Sequence, residues 1–190
     1  RNITVQASSS DGSTATQNFS ITINDLNEFA VSTPTDSHVA ANAVNENVVV
    51  GTTVGLTANA FDLDATNNTI TYSLTSNPNG LFQIDVNTGI VTTASAIDRE
   101  THGASRNITV QATSSDGSTA TQNFTITIND LNEFVVSTPT DSNVAANAVN
   151  ENVIIGTTVG LTANAFDLDA TNNTITYSLT SNPDRLEQRR

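Results

Sequence analysis

The sequence predicts an all-β fold, a tandem array of seven-stranded Greek-key β-sandwiches. Three observations predict it. The chain repeats itself: Arg1 to Pro78 laid over Arg106 to Pro183 gives a period of 105 residues, with 72 of 78 aligned positions identical. Such a period is too long for a solenoid turn and fits one sandwich domain per repeat. Apolar and polar residues alternate with the two-residue period of strands, and no stretch has helical periodicity. Clusters of Asn, Asp, Gly and Pro interrupt those runs where turns are needed.

The six differences between the copies are Ser8/Thr113, Ser20/Thr125, Ala30/Val135, His38/Asn143, Val49/Ile154 and Val50/Ile155. Five are conservative, which reads as recent duplication in a longer array. The repeat also sets the register. Residues 1–29 read as the last two strands of one unit, residues 30–134 as a whole unit, and residues 135–183 as the first three strands of the next. The segment Asn79 to Ser105 occurs once. The end pieces therefore leave open sheet edges, expected to be covered by neighbouring chains or by each other's halves. The charge-dense stretch 184–190 is unlike the rest and reads as a tail or fusion scar.

Within the whole unit, Val31 to Asn42 is an irregular start containing Pro34 and Asp36. Glu46 follows, then the apolar run Val48-Val49-Val50 and the turn residue Gly51. Thr53 to Phe61 alternates as a strand. The Asx-rich stretch Asp62 to Asn68 is a loop, because Asx side chains close turns on their own backbone. Ile70, Tyr72 and Leu74 line one face of the next strand. Asn77-Pro78-Asn79-Gly80 turns the chain, and Leu81–Ile84 pairs with Ile90–Thr92 across Asp85 to Gly89. Asp98-Arg99-Glu100 ends the following stretch. Ile108, Val110 and Ala112 make an inward face, Ser114 to Gly117 is a loop, and Phe124, Ile126 and Ile128 alternate into Asp130-Leu131-Asn132-Glu133. These runs give the seven strands, and a unit of this size buries roughly two-thirds of its unfolded surface.

Composition narrows the function. The formal charge is −13, from 19 acids against six Arg and no Lys. That balance disfavours nucleic acid and anionic membrane surfaces, which need basic patches, and suits divalent cations. With no Cys, disulfides, thiolate zinc sites and thiol catalysis are excluded. A Thr-, Ser-, Asn- and Ala-rich chain without disulfides reads as a bacterial secreted or cell-surface repeat protein, and no stretch approaches the roughly 20 apolar residues of a membrane span. His38 becomes Asn143 in the second copy and His102 lies in a polar loop, so both are expected to be solvated. Neither forms a nucleophile–base arrangement, and the expectation is a non-enzyme.

Twelve of the 19 carboxylates fall in four short signatures: Glu46 and Glu151; the pairs Asp62/Asp64 and Asp167/Asp169; Asp98 with Glu100; and the turns Asp25 to Glu28 and Asp130 to Glu133. Two carboxylates spaced i, i+2 in a loop can face one ion. Calcium gathers six to eight oxygens at about 2.3–2.6 Å from carboxylates, Asn and carbonyls. Without a cation, crowded carboxylates repel by about 4 kcal/mol per pair at 4 Å and an effective dielectric of 20.

Glu46-Asn47 with Gly51-Thr52, Ala60-Phe61-Asp62-Leu63-Asp64, Thr71-Tyr72-Ser73-Leu74, Phe82-Gln83-Ile84-Asp85 with Thr88-Gly89, Asp98-Arg99-Glu100 and Asp130-Leu131-Asn132-Glu133 together resemble the cadherin repeat, in the version found in very large bacterial surface adhesins. The resemblance covers residues 1–183. It implies a cadherin-type, immunoglobulin-like sandwich with Ca²⁺ at the domain junctions. Carried over, the complete junction would use Glu46, Asp98, Glu100, Asp130, Asn132, Glu133, Asp167 and Asp169, with Leu131 offering its carbonyl. The upstream junction would use Asp25, Asn27 and Glu28 with Asp62 and Asp64, while Glu151 lacks a downstream partner. Two departures stand out. Animal cadherin linkers read Asn-Asp-Asn-x-Pro, whereas Glu133 runs into Phe134. The family's Asp in the sixth strand is matched by Ser9 and Ser114, with Asp11 and Asp116 two residues on. About two or three ions are expected at the complete junction, with affinities of roughly 10⁻⁴–10⁻³ M.

The resemblance implies adhesion, with adjacent repeats as partners in cis. In one reading the repeats are Ca²⁺-rigidified spacers. In the other they bind directly, to identical repeats on another chain or to surface polysaccharide, with Phe29 and Phe134 as plausible exposed aromatics. Tyr72 and Tyr177 are expected in cores.

Overall fold

The computed structural model describes residues 1–181; the tail at 184–190 lies outside the described residues. The chain opens with an antiparallel hairpin of β1 (Asn2–Ser8) and β2 (Thr14–Ser20). Then come β3 (Thr35–Asp36), β4 (Ala43–Asn45), β5 (Thr53–Asn59), β6 (Ile70–Ser76), β7 (Phe82–Ile84) and β8 (Ile90–Thr93). A single helical turn, α1 (Arg99–His102), leads to β9 (Ser105–Ser114) and β10 (Thr119–Asn129), and a short pair β11 (Thr140–Asp141) and β12 (Ala163–Asn164) follows.

Strands β3 to β10 form two four-stranded sheets, β4–β10–β9–β6 and β3–β5–β8–β7. Every pairing is antiparallel except β4 with β10. The first strand is divided, β3 lying in one sheet and β4 in the other, so the eight segments are seven strands with a shared first one. Alternation places Ile108, Val110 and Ala112 of β9 and Ile126 and Ile128 of β10 on the inner face of one sheet. Val54, Leu56 and Ala58 of β5, Val91 of β8 and Phe82 of β7 line the other, and Leu81 and Ile97 close the core. Tyr72 is buried, and its hydroxyl accepts from Ala60 N–H at 2.9 Å, satisfying the one polar atom it brings inside.

Two sequence expectations are corrected. Val48-Val49-Val50 is not a strand: Val49 and Val50 are exposed in a turn, and the pairing to β10 comes from Ala43–Asn45. Buried Thr93 fixes that turn, its hydroxyl accepting from Gly51 N–H and Thr52 N–H and donating to the Val49 carbonyl. Asp98-Arg99-Glu100 does not simply end a stretch; Asp98 caps α1, accepting from Thr101 N–H at 2.8 Å.

The crossover from β3 to β4 passes tightly over β5. Gly55 has φ +78°, and a Cβ there would lie 2.2 Å from the Ala41 carbonyl oxygen. Only glycine combines that backbone with that approach, and it sits where the β5–β8 register shifts between Thr53 and Thr57.

The end pieces differ from the whole unit. Every residue of β1 and β2 is exposed, including Ile3, Val5 and Phe19. Tyr177, expected in a core, is also exposed, as are Leu161 and Leu179.

Gly55→Ala should destabilise the whole unit by at least about 2 kcal/mol through backbone strain and clash, read as a lower urea midpoint with unchanged slope.

Candidate metal centre

The downstream junction is built around Glu46, which directly follows β4 and is fully buried. One carboxylate oxygen accepts from Arg99 N–H and the other from Leu131 N–H, each at 2.6 Å. Leu131 thus enters the site through its amide. Glu100, in the first turn of α1, accepts from Ala170 N–H at 2.8 Å, reaching across to the following segment. Glu133 accepts from Asn47 Nδ2–H at 2.9 Å. One oxygen from each of Glu46, Glu100 and Glu133 lies within 4.8 Å of the others.

Asp130 and Asp169 lock the linker to the segment beyond it. Asp130 Oδ2 accepts from Thr171 N–H at 3.1 Å and from the Thr171 hydroxyl. Asp169 Oδ1 accepts from Glu133 N–H at 3.0 Å and Phe134 N–H at 3.2 Å. Asp167 Oδ1 accepts from Asp169 N–H, which orients the pair. Arg99 supplies the one ion pair among the described residues, its Nε 3.6 Å from Asp130 Oδ1, and it also donates to the Ile128 carbonyl.

Two expected ligands behave differently. Asp98 directs both oxygens to Thr101, accepting from its N–H at 2.8 Å and its hydroxyl at 3.0 Å, and those bonds hold its carboxyl below the usual range. The structure therefore does not bring Asp98 into the carboxylate cluster. Asn132 is exposed in the linker. His102, expected to be solvated, is half-buried and accepts from Asp98 N–H at 3.1 Å; His38 is exposed as expected.

The upstream junction repeats the lock one period earlier. Asp25 Oδ2 accepts from Thr66 N–H at 3.0 Å and its hydroxyl at 2.7 Å, and Asp64 Oδ1 accepts from Glu28 N–H and Phe29 N–H. Asp62 orients Asp64 through its N–H at 3.1 Å. Asp116 joins them: oxygens of Asp62, Asp64 and Asp116 lie within 4.8 Å of one another, and Asn27 Nδ2–H donates to Asp116 at 2.6 Å. Ser114, at the family's Asp position, donates its hydroxyl to the Asn67 carbonyl instead. The turn Ser114–Ser118 brings Asp116 round in its place, with Ser118 N–H bonded to its Oδ1.

These clusters fit a hard cation. Asp62 Oδ2, Asp64 Oδ2 and Asp169 Oδ2 are buried without a hydrogen-bond donor, and Asp130 Oδ1 has only the Arg99 guanidinium, at 3.6 Å. A buried carboxylate oxygen left unsatisfied is costly, and it is the group that calcium coordinates. Partial desolvation pushes the Glu133 carboxyl above its usual range, with Glu46, Glu100 and Asp169 adding repulsion and the Asn47 hydrogen bond opposing. A divalent ion would reverse that repulsion.

Residues 41–129 match the family model of the cadherin domain. Cadherin-7 of Gallus gallus is 42% identical over 94 residues, 48% of this chain and 11% of its own length. Cadherin-20 of Xenopus laevis is 48% identical over 59 residues, 30% of this chain and 7% of its own. Among solved structures, that of mouse cadherin-23 EC22-24 superposes with a TM-score of 0.62 at 30% identity, over 88% of this chain and 53% of that one. The structure of PcdhgB3 EC1-4 has a TM-score of 0.68 at 23% identity, covers 95% of this chain and 51% of that one, and shows the fold alone. The chain spans about a tenth of these curated relatives and about half of these solved chains. The matched relatives are adhesion proteins and not enzymes. Family model, relatives and fold point the same way: residues 41–129 are similar to a cadherin domain.

Proposed function

We propose that this chain is an extracellular adhesion segment in which Ca²⁺ rigidifies tandem cadherin repeats, acting as a spacer in a long surface adhesin. The observation that carries this reading is the set of buried carboxylate oxygens without a hydrogen-bond donor beside both linkers, on Asp62 and Asp64 upstream and on Asp130 and Asp169 downstream. Cadherin domains in general bind Ca²⁺, and adhesion by cadherins is typically calcium-dependent. In this reading residues 30–134 form the complete repeat, flanked by 1–29 and 135–183 from its neighbours. Glu46, Glu100, Asp130, Glu133, Asp167 and Asp169 hold ions downstream, with Asn132 and the Leu131 carbonyl in the linker and Asp98 from behind α1. Asp25, Asn27, Glu28, Asp62, Asp64 and Asp116 serve the upstream junction. No helix among the described residues is long and apolar enough to cross a membrane.

A spacer needs repetition and not diversity, which the near-identity of the copies supports. The absence of cysteine supports a bacterial surface origin. Direct binding by the repeats, to identical repeats or to polysaccharide, is the second reading, favoured by exposed Phe29, Phe61 and Phe166. One solved neighbour is described as a protocadherin cis-dimer, a likeness of fold alone.

Calcium at about a hundredfold excess over its Kd should stabilise the folded form by about 2.7 kcal/mol per ion. For a domain of this size that raises Tm by at least ~10 °C. Calorimetry in Ca²⁺ against EDTA reads it, and an unchanged Tm with no binding heat would sink the proposal. Asp64→Asn keeps an oxygen for Glu28 N–H but removes charge, so it should weaken calcium binding at least about tenfold, about 1.4 kcal/mol. Glu133→Gln should raise stability in EDTA by easing like-charge repulsion while shrinking the gain from Ca²⁺. Loss of stability in both media would instead mark Glu133 as purely structural.

A further inference from the structure

Of the acids assigned above to the two junctions, Asp116 alone precedes a glycine. An Asp–Gly step cyclises readily, because glycine sets no side chain between its nitrogen and the carboxyl carbon before it. The position follows from how the cluster is built. Ser114, buried at the end of β9, donates its hydroxyl to the Asn67 carbonyl, so the third carboxylate beside Asp62 and Asp64 comes from the turn and not from the strand.

We propose that Asp116–Gly117 is a modification site, converted to isoaspartate through a succinimide, and that a divalent cation held by Asp62, Asp64 and Asp116 restrains the conversion. The inference rests on the calcium reading of that cluster and adds its regulation. The Gly117 nitrogen attacks Cγ of Asp116. The N–Cγ bond forms, the Cγ–O bond breaks, and one water leaves with the carboxyl and amide protons. A second water opens the ring at the Asp116 carbonyl, so the main chain then runs through Cγ and the former carbonyl carbon becomes a carboxylate. Water lost equals water gained, and no other reactant enters.

In the folded turn both reacting groups are bonded elsewhere. Gly117 N–H donates to the Ser114 carbonyl at 3.0 Å. Asp116 Oδ1 accepts from Ser118 N–H at 2.7 Å, and Oδ2 accepts from Asn27 Nδ2–H at 2.6 Å. Cyclisation therefore waits on local opening of this hairpin end, where Gly117 is exposed. A cation on the cluster opposes that opening. Asp64 is 4% exposed, its Oδ2 lacks a donor, and one of its oxygens lies within 4.8 Å of one from Asp116. An ion shared by the two would hold the Asp116 carboxylate charged and in place. The product undoes the site. The main chain gains a carbon, the carboxylate arm loses one, and the Ser114–Ser118 turn no longer presents it. Ser118 Oγ also accepts from Val31 N–H at 2.9 Å, so the start of the repeat loosens with the turn.

The test is to age the full chain in Ca²⁺ and in EDTA, then digest it with a protease that cuts before aspartate and not before isoaspartate. The next aspartates on either side are Asp98 and Asp130, so conversion leaves fragment 98–129 uncut. That fragment should accumulate in EDTA. With calcium a hundredfold above its Kd it should form about a hundredfold more slowly, in proportion to the unliganded fraction. Asp62→Asn, which leaves the turn alone, should remove most of that protection. Gly117→Asn should slow the conversion in both media by hindering the attack. Asparagine already takes positive φ at five positions of this chain, and open space surrounds Gly117. By calorimetry, the unaltered chain aged in EDTA should bind fewer Ca²⁺ ions than when fresh, and aged Gly117→Asn as many. If the fresh chain binds calcium, then equal rates in the two media, no conversion in EDTA, full protection in Asp62→Asn or undiminished binding after ageing each overturn the inference. No binding heat from the fresh chain overturns the calcium reading itself, and the restraint with it.

Discussion

The buried Glu46 carboxylate is the interaction on which the junction end of the complete repeat depends. It joins three pieces with no other reason to meet: the end of β4, the first turn of α1 and the linker after β10. Both of its oxygens accept backbone N–H groups, so the charge is held by two directed, charge-assisted bonds. Neighbouring acids then crowd against a group that cannot move away. Glu100 and Glu133 are brought within reach of it, and their mutual repulsion is what a cation placed there would relieve. Position comes from the backbone bonds and demand for charge from the crowding.

Most of the fold was legible because strands announce themselves by alternation. β9 and β10 are long enough for the two-residue period to stand out, and their inward residues were the expected ones. The misplaced first strand has a physical cause. Val48-Val49-Val50 is more apolar than Ala43-Val44-Asn45, yet a strand at a sheet edge needs only one buried side chain, here Val44. Helix α1 spans four residues, too few to display a period. Among the acids, the loop pairs stood out by their i, i+2 spacing and the linker acids by the repeated Asp-Leu-Asn-Glu turn. The turning of Asp98 toward Thr101 was not, because capping depends on the local path of the backbone. Asp116 was visible only as an acid two residues from its expected place, until the Ser114–Ser118 turn brought it to Asp62 and Asp64.

The six differences between the copies leave this arrangement untouched. Val49 and Val50, with their counterparts Ile154 and Ile155, are exposed. His38 and Asn143 do the same work with different chemistry: each accepts the N–H two residues on, at 3.1 Å from Ala40 and 2.9 Å from Ala145. No difference falls on a junction carboxylate or on the fully buried core.

The parallel pairing of β4 with β10 has a mechanical consequence. The chain enters through β3 in one sheet, crosses to β4 in the other and leaves just after β10, and β4 and β10 lie side by side, Ala43, Val44 and Asn45 opposite Thr127, Ile128 and Asn129. Tension along an array pulls β4 backward and β10 forward, along the strands and across their hydrogen bonds. Those bonds, together with Thr127 N–H to Asn42 and Glu46 N–H to Asn129, are loaded at the same time and not one after another. The repeat is thus wired to resist stretch as a shear clamp, with the carboxylate of Glu46 pinning the end of that clamp where the next repeat begins.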